Sequence, residues 1–228
     1  MTNPLKTLAI DTSLRGGSIA CFDGGELAGA EFLDSRLSTA AYLTPTLDSL
    51  LTRLGWKPGE IQLVGVSLGP GSFTGLRIGV MTAKTIAYVT GAKVVGVNTL
   101  SAIAHRAPQT PSDLHVIMDA QRNQLFHARF VSQDDGTWDK AAPTAIVDWE
   151  PFLASLDEGS TVTGPAIRNH EEKIPENVQI MDEAYWSPTA EAVGRVALAQ
   201  YHAGKTTEFW KLQPNYYRKS AAEEKLEG

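Results

Sequence analysis

Cys21 is the only cysteine in 228 residues. An internal disulfide is excluded, a zinc site built from cysteines is equally so, and such a chain suits a reducing compartment. Long apolar runs are also missing: no stretch approaches the roughly 20 residues that cross a bilayer. Met1-Thr2-Asn3-Pro4-Leu5-Lys6 leads straight into a strand pattern with no signal-peptide core, so the expected location is the cytoplasm. Excess positive charge is absent as well. With a formal charge of -6 the chain has no global field to draw it to nucleic acid, and any contact with RNA needs a local patch or a basic partner. The five histidines, His105, His115, His127, His170 and His202, never stand four apart, so no metal-binding helix face can be read from them. No nucleophile elbow occurs, and no serine pairs with a histidine and an acid.

What remains is 43% apolar content, enough for a sizeable core in one domain or two small ones. Residues 7–10 and 18–22 are β-prone and flank the turn-rich Asp11-Thr12-Ser13-Leu14-Arg15-Gly16-Gly17. Residues 115–131 repeat that grammar of strand, acid, polar turn and strand, with Asp119 in the place of Asp11, so the chain reads as internally duplicated. Leu43, Leu47, Leu50, Leu51 and Leu54 form one face of a helix over 39–54, stopped by Gly55. A strand over 61–68, a helix over 73–90 ending at Gly91, a strand over 93–97 and a short helix over 100–106 follow. This alternation predicts an α/β layer architecture. The segment Pro108-Gln109-Thr110-Pro111-Ser112 is the expected linker, dividing a first lobe, 1–107, from a smaller second lobe, 108–228, whose last helix can pack back on the first. In the second lobe, 161–163 reads as a short strand, and a helix is expected with Ser187 as N-cap and Pro188 at its first position. The charged tail, 221–228, is expected to fray.

The most informative segment is Gly69-Pro70-Gly71-Ser72-Phe73-Thr74-Gly75-Leu76-Arg77-Ile78-Gly79, at a strand exit and a helix start. Glycines there permit positive φ and close backbone approach, and a helix N-terminus supplies free N–H donors, so the segment has the build of a phosphate cradle and also of a plain tight turn. No Lys-Ser/Thr pair follows it, and the spacing of a dinucleotide fingerprint is missing. Gly69, Gly71 and Ser72, with Asp11, Thr12 and Ser13, are the candidate nucleotide-binding residues. Carboxylate and hydroxyl oxygens suit hydrated magnesium, and the same residues equally suit an Asx-type turn. The helix carries Gly75, Gly79, Ala83 and Ala87 four apart, a stripe that lets another helix approach closely. With Leu76 and the neighbouring Leu43, Leu47 and Leu50, it is the candidate partner-binding surface. Trp210, Tyr216, Tyr217, Arg218 and Lys219 form an aromatic and basic cluster that serves either packing or contact with RNA or a partner.

Leu8-Ala9-Ile10-Asp11-Thr12-Ser13, the glycine segment, Val95-Gly96-Val97, Met118-Asp119-Ala120 and Pro214-Asn215-Tyr216-Tyr217-Arg218 occur in the order and spacing of the TsaB (YeaZ) family, which the chain resembles along its whole length. The resemblance implies an actin-like or Hsp70-like fold of two lobes, each a mixed sheet flanked by helices. It also implies a non-catalytic subunit in the formation of N6-threonylcarbamoyladenosine beside the anticodon of tRNAs that read codons beginning with A. The implied partners are the catalytic transferase TsaD and the small ATPase TsaE. A homodimer forms through the same helices when TsaD is absent, and tRNA is reached through the complex; no membrane is involved. No cofactor is implied for this chain, with ATP or ADP and magnesium at the complex interface as the place for nucleotide. Where the catalytic relative carries a metal-binding His-x-x-x-His, alignment places Thr99 and Ile103, neither of which can serve as that ligand. The chain departs from its relatives at Thr39, where many have histidine, and at Tyr217, where leucine is usual. The rival reading is an actin-like ATPase or phosphotransferase using Asp11, Asp119 and the glycine segment around Mg-ATP. A peptidase, a name attached to this superfamily, finds no metal pair or nucleophile in the chain.

Overall fold

A computed structural model describes residues 4–36, 38–108, 112–134 and 136–218. The tail 221–228, Lys219 and most of the expected linker lie outside the described residues. The chain forms two compact units: the first runs to Thr99 and resumes at Thr189, and the second is Leu100–Pro188.

The first unit opens with a meander of β1 (Lys6–Asp11), β2 (Ser18–Asp23) and β3 (Glu26–Phe32), then α1 (Thr39–Leu54), β4 (Leu63–Gly69), α2 (Phe73–Thr90) and β5 (Lys93–Asn98). α3 (Thr99–Arg106) leads into the second unit. There β6 (Asp113–Asp119), β7 (Gln124–Ser132), β8 (Trp138–Lys140) and β9 (Ala145–Asp148) precede α4 (Trp149–Ala154), β10 (Thr161–Thr163), α5 (Ile167–His170) and β11 (Gln179–Ile180). α6 (Ala190–His202) belongs to the first unit. The strand order β3-β2-β1-β4-β5 recurs in the second sheet as β8-β7-β6-β10-β11. In both sheets the first three strands are antiparallel, and the last two run parallel to the central one. Asp11 and Asp119 each close the central strand of their sheet. This is the expected α/β architecture of two units, each a mixed sheet flanked by helices.

Period-two alternation sorts the first sheet into two faces. Leu8, Ile10, Ile19, Cys21, Val64 and Val66 join the leucine face of α1 and the inner face of α2 in one buried cluster. Each fully buried leucine there contributes about 1.5–3 kcal/mol. The alternate residues meet α6 at small side chains: a Cβ on Gly65 would lie 2.6 Å from the Ala197 Cβ, and Gly194 lies against the Phe22 ring. The second unit has its own core, with Ile117, Leu125 and Val162 packed by Trp149, Phe152 and Ile167.

Two local expectations are corrected. The cap of α6 is Thr189, whose hydroxyl accepts from the Ala192 N–H at 3.2 Å, and the helix begins at Ala190, so Ser187 and Pro188 precede the cap. β3 was not expected from the sequence, because ELAGAEF has too little apolar alternation; it is an edge strand with exposed residues, reached through Gly24 and Gly25, both at positive φ.

Candidate functional site

The glycine segment is closed by its own chain. Gly69 sits at φ +114, before a cis bond to Pro70, and a Cβ on Gly71 would overlap the carbonyl oxygen of Ser13. The Ser72 N–H donates to that carbonyl at 2.7 Å. The Gly75 N–H donates to Ser72 Oγ at 3.2 Å, as in an N-cap, and the Leu76 N–H to the Ser72 carbonyl at 2.8 Å. Asp11, Thr12 and Ser13 are buried beside it. Asp11 Oδ1 accepts from the Ser13 N–H at 3.1 Å, from Ser13 Oγ at 2.7 Å and from Ser67 Oγ at 2.5 Å. Burial pushes the Asp11 carboxyl above its ordinary range, against the lowering pull of Ser67 and Ser13. A hydrated magnesium and a phosphate need accessible oxygens and free donors. Here the Ser72 donor and one Asp11 oxygen are already taken by the chain itself, which leaves the segment poorly suited to the group that the fold family implies.

The stripe of α2 faces inward. A Cβ on Gly75 would overlap the carbonyl oxygen of Thr12, and one on Gly79 would overlap Thr12 Oγ1, a buried hydroxyl without a hydrogen-bond partner. Ala83 and Ala87 are buried in the cluster that holds Leu43, Leu47 and Leu50, and Leu76 is buried too. α1 is therefore the neighbour of α2, as expected. The correction is that all eight residues named for partner docking are engaged inside the protomer and present no seam to a partner. The surface of this helix pair lies on the opposite side, where Met81, Tyr88 and Val89 of α2 are 59%, 74% and 76% exposed and Tyr42 of α1 is exposed as well. The sequence signal for them was the set of large apolar residues left on α2 once its small stripe is assigned inward.

Residues 207–217 run as a strap along α2. Thr207 bridges Val94, and Phe209 packs on Tyr88. Lys84 Nζ donates to the carbonyls of Trp210 and Leu212, at 3.3 and 3.2 Å. The Asn215 N–H donates to the Leu68 carbonyl at 2.7 Å, Arg77 Nε donates to the Tyr216 hydroxyl at 2.9 Å, and the Arg77 guanidinium lies 3.9 Å from the Phe73 ring centre. Tyr217, where relatives have leucine, uses its hydroxyl to accept from Asn98 Nδ2 at 3.0 Å.

In the second unit Asp119 is exposed and accepts from the Gln121 N–H at 2.6 Å. Sequence reasoning missed a stacked pair, His115 and His127, with ring nitrogens 3.1 Å apart and Phe152 against both. They lie diagonally across the antiparallel pair of β6 and β7, His115 opposite Arg129 and His127 opposite Ile117, a proximity not visible from spacing. Thr99 and Ile103 are both fully buried in α3. Among the described residues no cluster of histidine, cysteine or carboxylate is arranged to hold a metal, and no helix is long and apolar enough to cross a membrane.

Against known proteins, residues 38–179 match the family model described as TsaD, tRNA N6-adenosine threonylcarbamoyltransferase. The tRNA threonylcarbamoyladenosine biosynthesis protein TsaB of Escherichia coli is 27% identical over 230 residues, covering 98% of this chain and 99% of that protein. The TsaB protein of Bacillus subtilis is 26% identical over 170 residues, covering 73% and 74%. YeaZ from Pseudomonas aeruginosa shares the fold, with a TM-score of 0.82 at 23% identity over 93% of this chain and 99% of that one. With a model match across more than half its length and curated relatives spanning nearly all of it, the chain belongs to the family that the TsaD model describes, in its TsaB (YeaZ) branch.

Proposed function

We propose that the chain is a non-catalytic subunit in the formation of N6-threonylcarbamoyladenosine on tRNA, acting as a scaffold that dimerises with the transferase TsaD. The observation that carries this reading is the outer face of α1 and α2, where Tyr42, Met81, Tyr88 and Val89 leave large apolar side chains exposed together on one helix pair. Scattered exposed apolar residues are ordinary, but a set of this size on adjoining helices fits a protein interface. The names of the TsaB relatives supply the pathway, and TsaE is the further partner. A homodimer through the same face is the state of the chain without TsaD. Nucleotide in this system belongs at the assembled interface, because the glycine segment of this chain is closed by Ser13. The same closure argues against the Mg-ATPase reading.

The test is gel filtration of the chain with TsaD, followed by tRNA modification with TsaE and the enzyme that makes the threonylcarbamoyl donor. The variant Met81→Glu/Val89→Glu is expected to elute apart from TsaD and to stop modification while its melting temperature is unchanged. Co-elution at the wild-type level would refute the proposed face. ATP turnover by the isolated chain that Asp11→Ala removes would refute the non-catalytic role.

A further inference from the structure

Charge is segregated along this chain. No aspartate or glutamate occurs from residue 61 to 112, although the whole chain carries -6. Elsewhere Lys6, Arg36, Arg53, Arg129, Arg168 and Arg195 each have a carboxylate partner. On α2 and the strap, Arg77, Lys84 and Lys211 have no carboxylate partner among the described residues, as is also true of Arg15, Lys57, Lys93, Lys140 and Lys173 elsewhere, and the one acid of the strap is the exposed Glu208. Two of these cations are held by other groups. Arg77 is stacked flat on Phe73 and tied through Nε to the Tyr216 hydroxyl, and Lys84 is fixed by two strap carbonyls. Trp210 and Tyr216 flank them on the exposed side of the strap, and Lys211 is exposed beside Trp210. The strap follows α2 from Tyr88 to Phe73, which at 1.5 Å per residue is about 22 Å.

Cations without carboxylate partners interleaved with exposed aromatic rings are what an unpaired nucleic-acid strand requires: phosphates seek the cations, and bases stack on the rings. An acidic protein surface would satisfy the cations but gives Trp210 and Tyr216 nothing to stack on. We infer that residues 207–217 and the adjoining edge of α2 form a binding rail for single-stranded RNA, with phosphates at Arg77 and Lys211 and bases against Tyr216 and Trp210. The inference rests on the tRNA-modifying role proposed above, and it supplies the local patch that a chain of net charge -6 needs.

The experiment measures binding of the full chain, alone and with TsaD, to a short fluorescent single-stranded oligoribonucleotide and to a duplex RNA of the same length. The single strand is expected to bind more tightly, and two phosphate contacts predict a roughly 7-fold loss of affinity between about 50 and 200 mM salt. Trp210→Ala and Lys211→Glu are each expected to weaken binding about 5- to 10-fold. Lys57→Glu, the same charge change elsewhere, leaves it unaltered, and all three keep the wild-type melting temperature. Absence of salt-dependent binding, or equal affinity in the strap variants, overturns the rail. Loss of TsaD co-elution in the strap variants with RNA affinity retained also overturns it, because the strap then serves protein docking. The Met81→Glu/Val89→Glu variant separates the two proposals, since it is expected to lose TsaD and keep RNA. If RNA binding fails while TsaD co-elution holds, only the rail falls.

Discussion

Gly79→Ala is the most informative single substitution, because two effects of opposite sign meet at one atom. Alanine in a helix interior gains about 1 kcal/mol over glycine. Here, however, the new Cβ would overlap Thr12 Oγ1, and over-packing of this kind costs about 1–3 kcal/mol. The single variant is thus expected to be destabilised by about 0–2 kcal/mol. Thr12→Ala removes the obstructing hydroxyl, which is buried without a hydrogen-bond partner, so its loss relieves about 1–3 kcal/mol of unmet desolvation and offsets the missing methyl. In that background the nearest remaining side-chain atom to a Gly79 Cβ is the residue 12 Cβ, at 3.5 Å, an ordinary contact. Gly79→Ala is then expected to stabilise by up to about 1 kcal/mol. The double-mutant cycle in urea, followed by tryptophan fluorescence and by hydrogen exchange at the amides of β1 and α2, should return a coupling of about 1–3 kcal/mol. Equal costs of Gly79→Ala in both backgrounds, within about 0.5 kcal/mol, would refute the close approach of α2 to Thr12. The same geometry means that Gly79→Leu disrupts the first unit itself, so loss of TsaD binding in that variant would not report on docking.

Three further outcomes follow from the buried titratable groups. Burial holds His127 down at about 4, with the neighbouring His115 and Arg129 acting in the same direction and Asp113 against them, whereas an unfolded histidine titrates near 6.5. The unfolded chain therefore binds more protons as pH falls through this window. Stability of the second unit is complete above about 6.5 and is expected to be lower by about 2 kcal/mol at pH 5, a loss that His127→Leu should flatten in urea titrations at the two pH values. Asp11→Asn keeps an acceptor for Ser13 and Ser67 and removes a desolvated carboxyl, so it is expected to melt no lower than the wild type and to support modification, unlike Asp11→Ala; a lower melting temperature for the asparagine variant would contradict this. Burial pushes the Cys21 thiol to about 12, so it should react with a thiol reagent only as fast as the chain unfolds, and rapid labelling of native protein would show the first sheet to be open.

The fold was more legible than the site because folding depends on repeated local patterns. The leucine spacing of α1 and the two breakers, Gly55 and Gly91, set helix limits that the structure keeps, with both glycines in the left-handed conformation. β3 was illegible for a physical reason: an edge strand has one partner and little to bury, so Gly29 and Ala30 need not alternate with apolar residues. The small stripe on α2 is legible as permitting close approach, and half of it meets the expected neighbour, with Ala83 and Ala87 packed with the α1 leucines, while Gly75 and Gly79 meet Thr12. Sequence shows that bulk is absent from a face, but whether the space belongs to a strand of the same chain or to a partner depends on contacts far apart in sequence. Thr12 stands 67 positions before Gly79. Sequence also separates His115 from His127 by a turn, while pairing of β6 with β7 brings their rings together.

The duplicated frame sharpens the argument about catalysis. Both central strands end in an aspartate, and holding a hydrated metal there takes accessible carboxylate oxygens. The two halves have taken opposite courses. Asp11 is buried, with three donors on one oxygen and the glycine segment folded down upon Ser13. Asp119 is exposed at a turn of three consecutive residues, Gln121, Arg122 and Asn123, all in the left-handed region. What the repeat has preserved is strand order and packing, while the polar chemistry at the repeated positions has diverged into a buried tie and a surface turn. On the outside, the unburied face of α2 and the strap beside it carry exposed apolar and aromatic side chains and cations without carboxylate partners, the groups on which both proposals above rest.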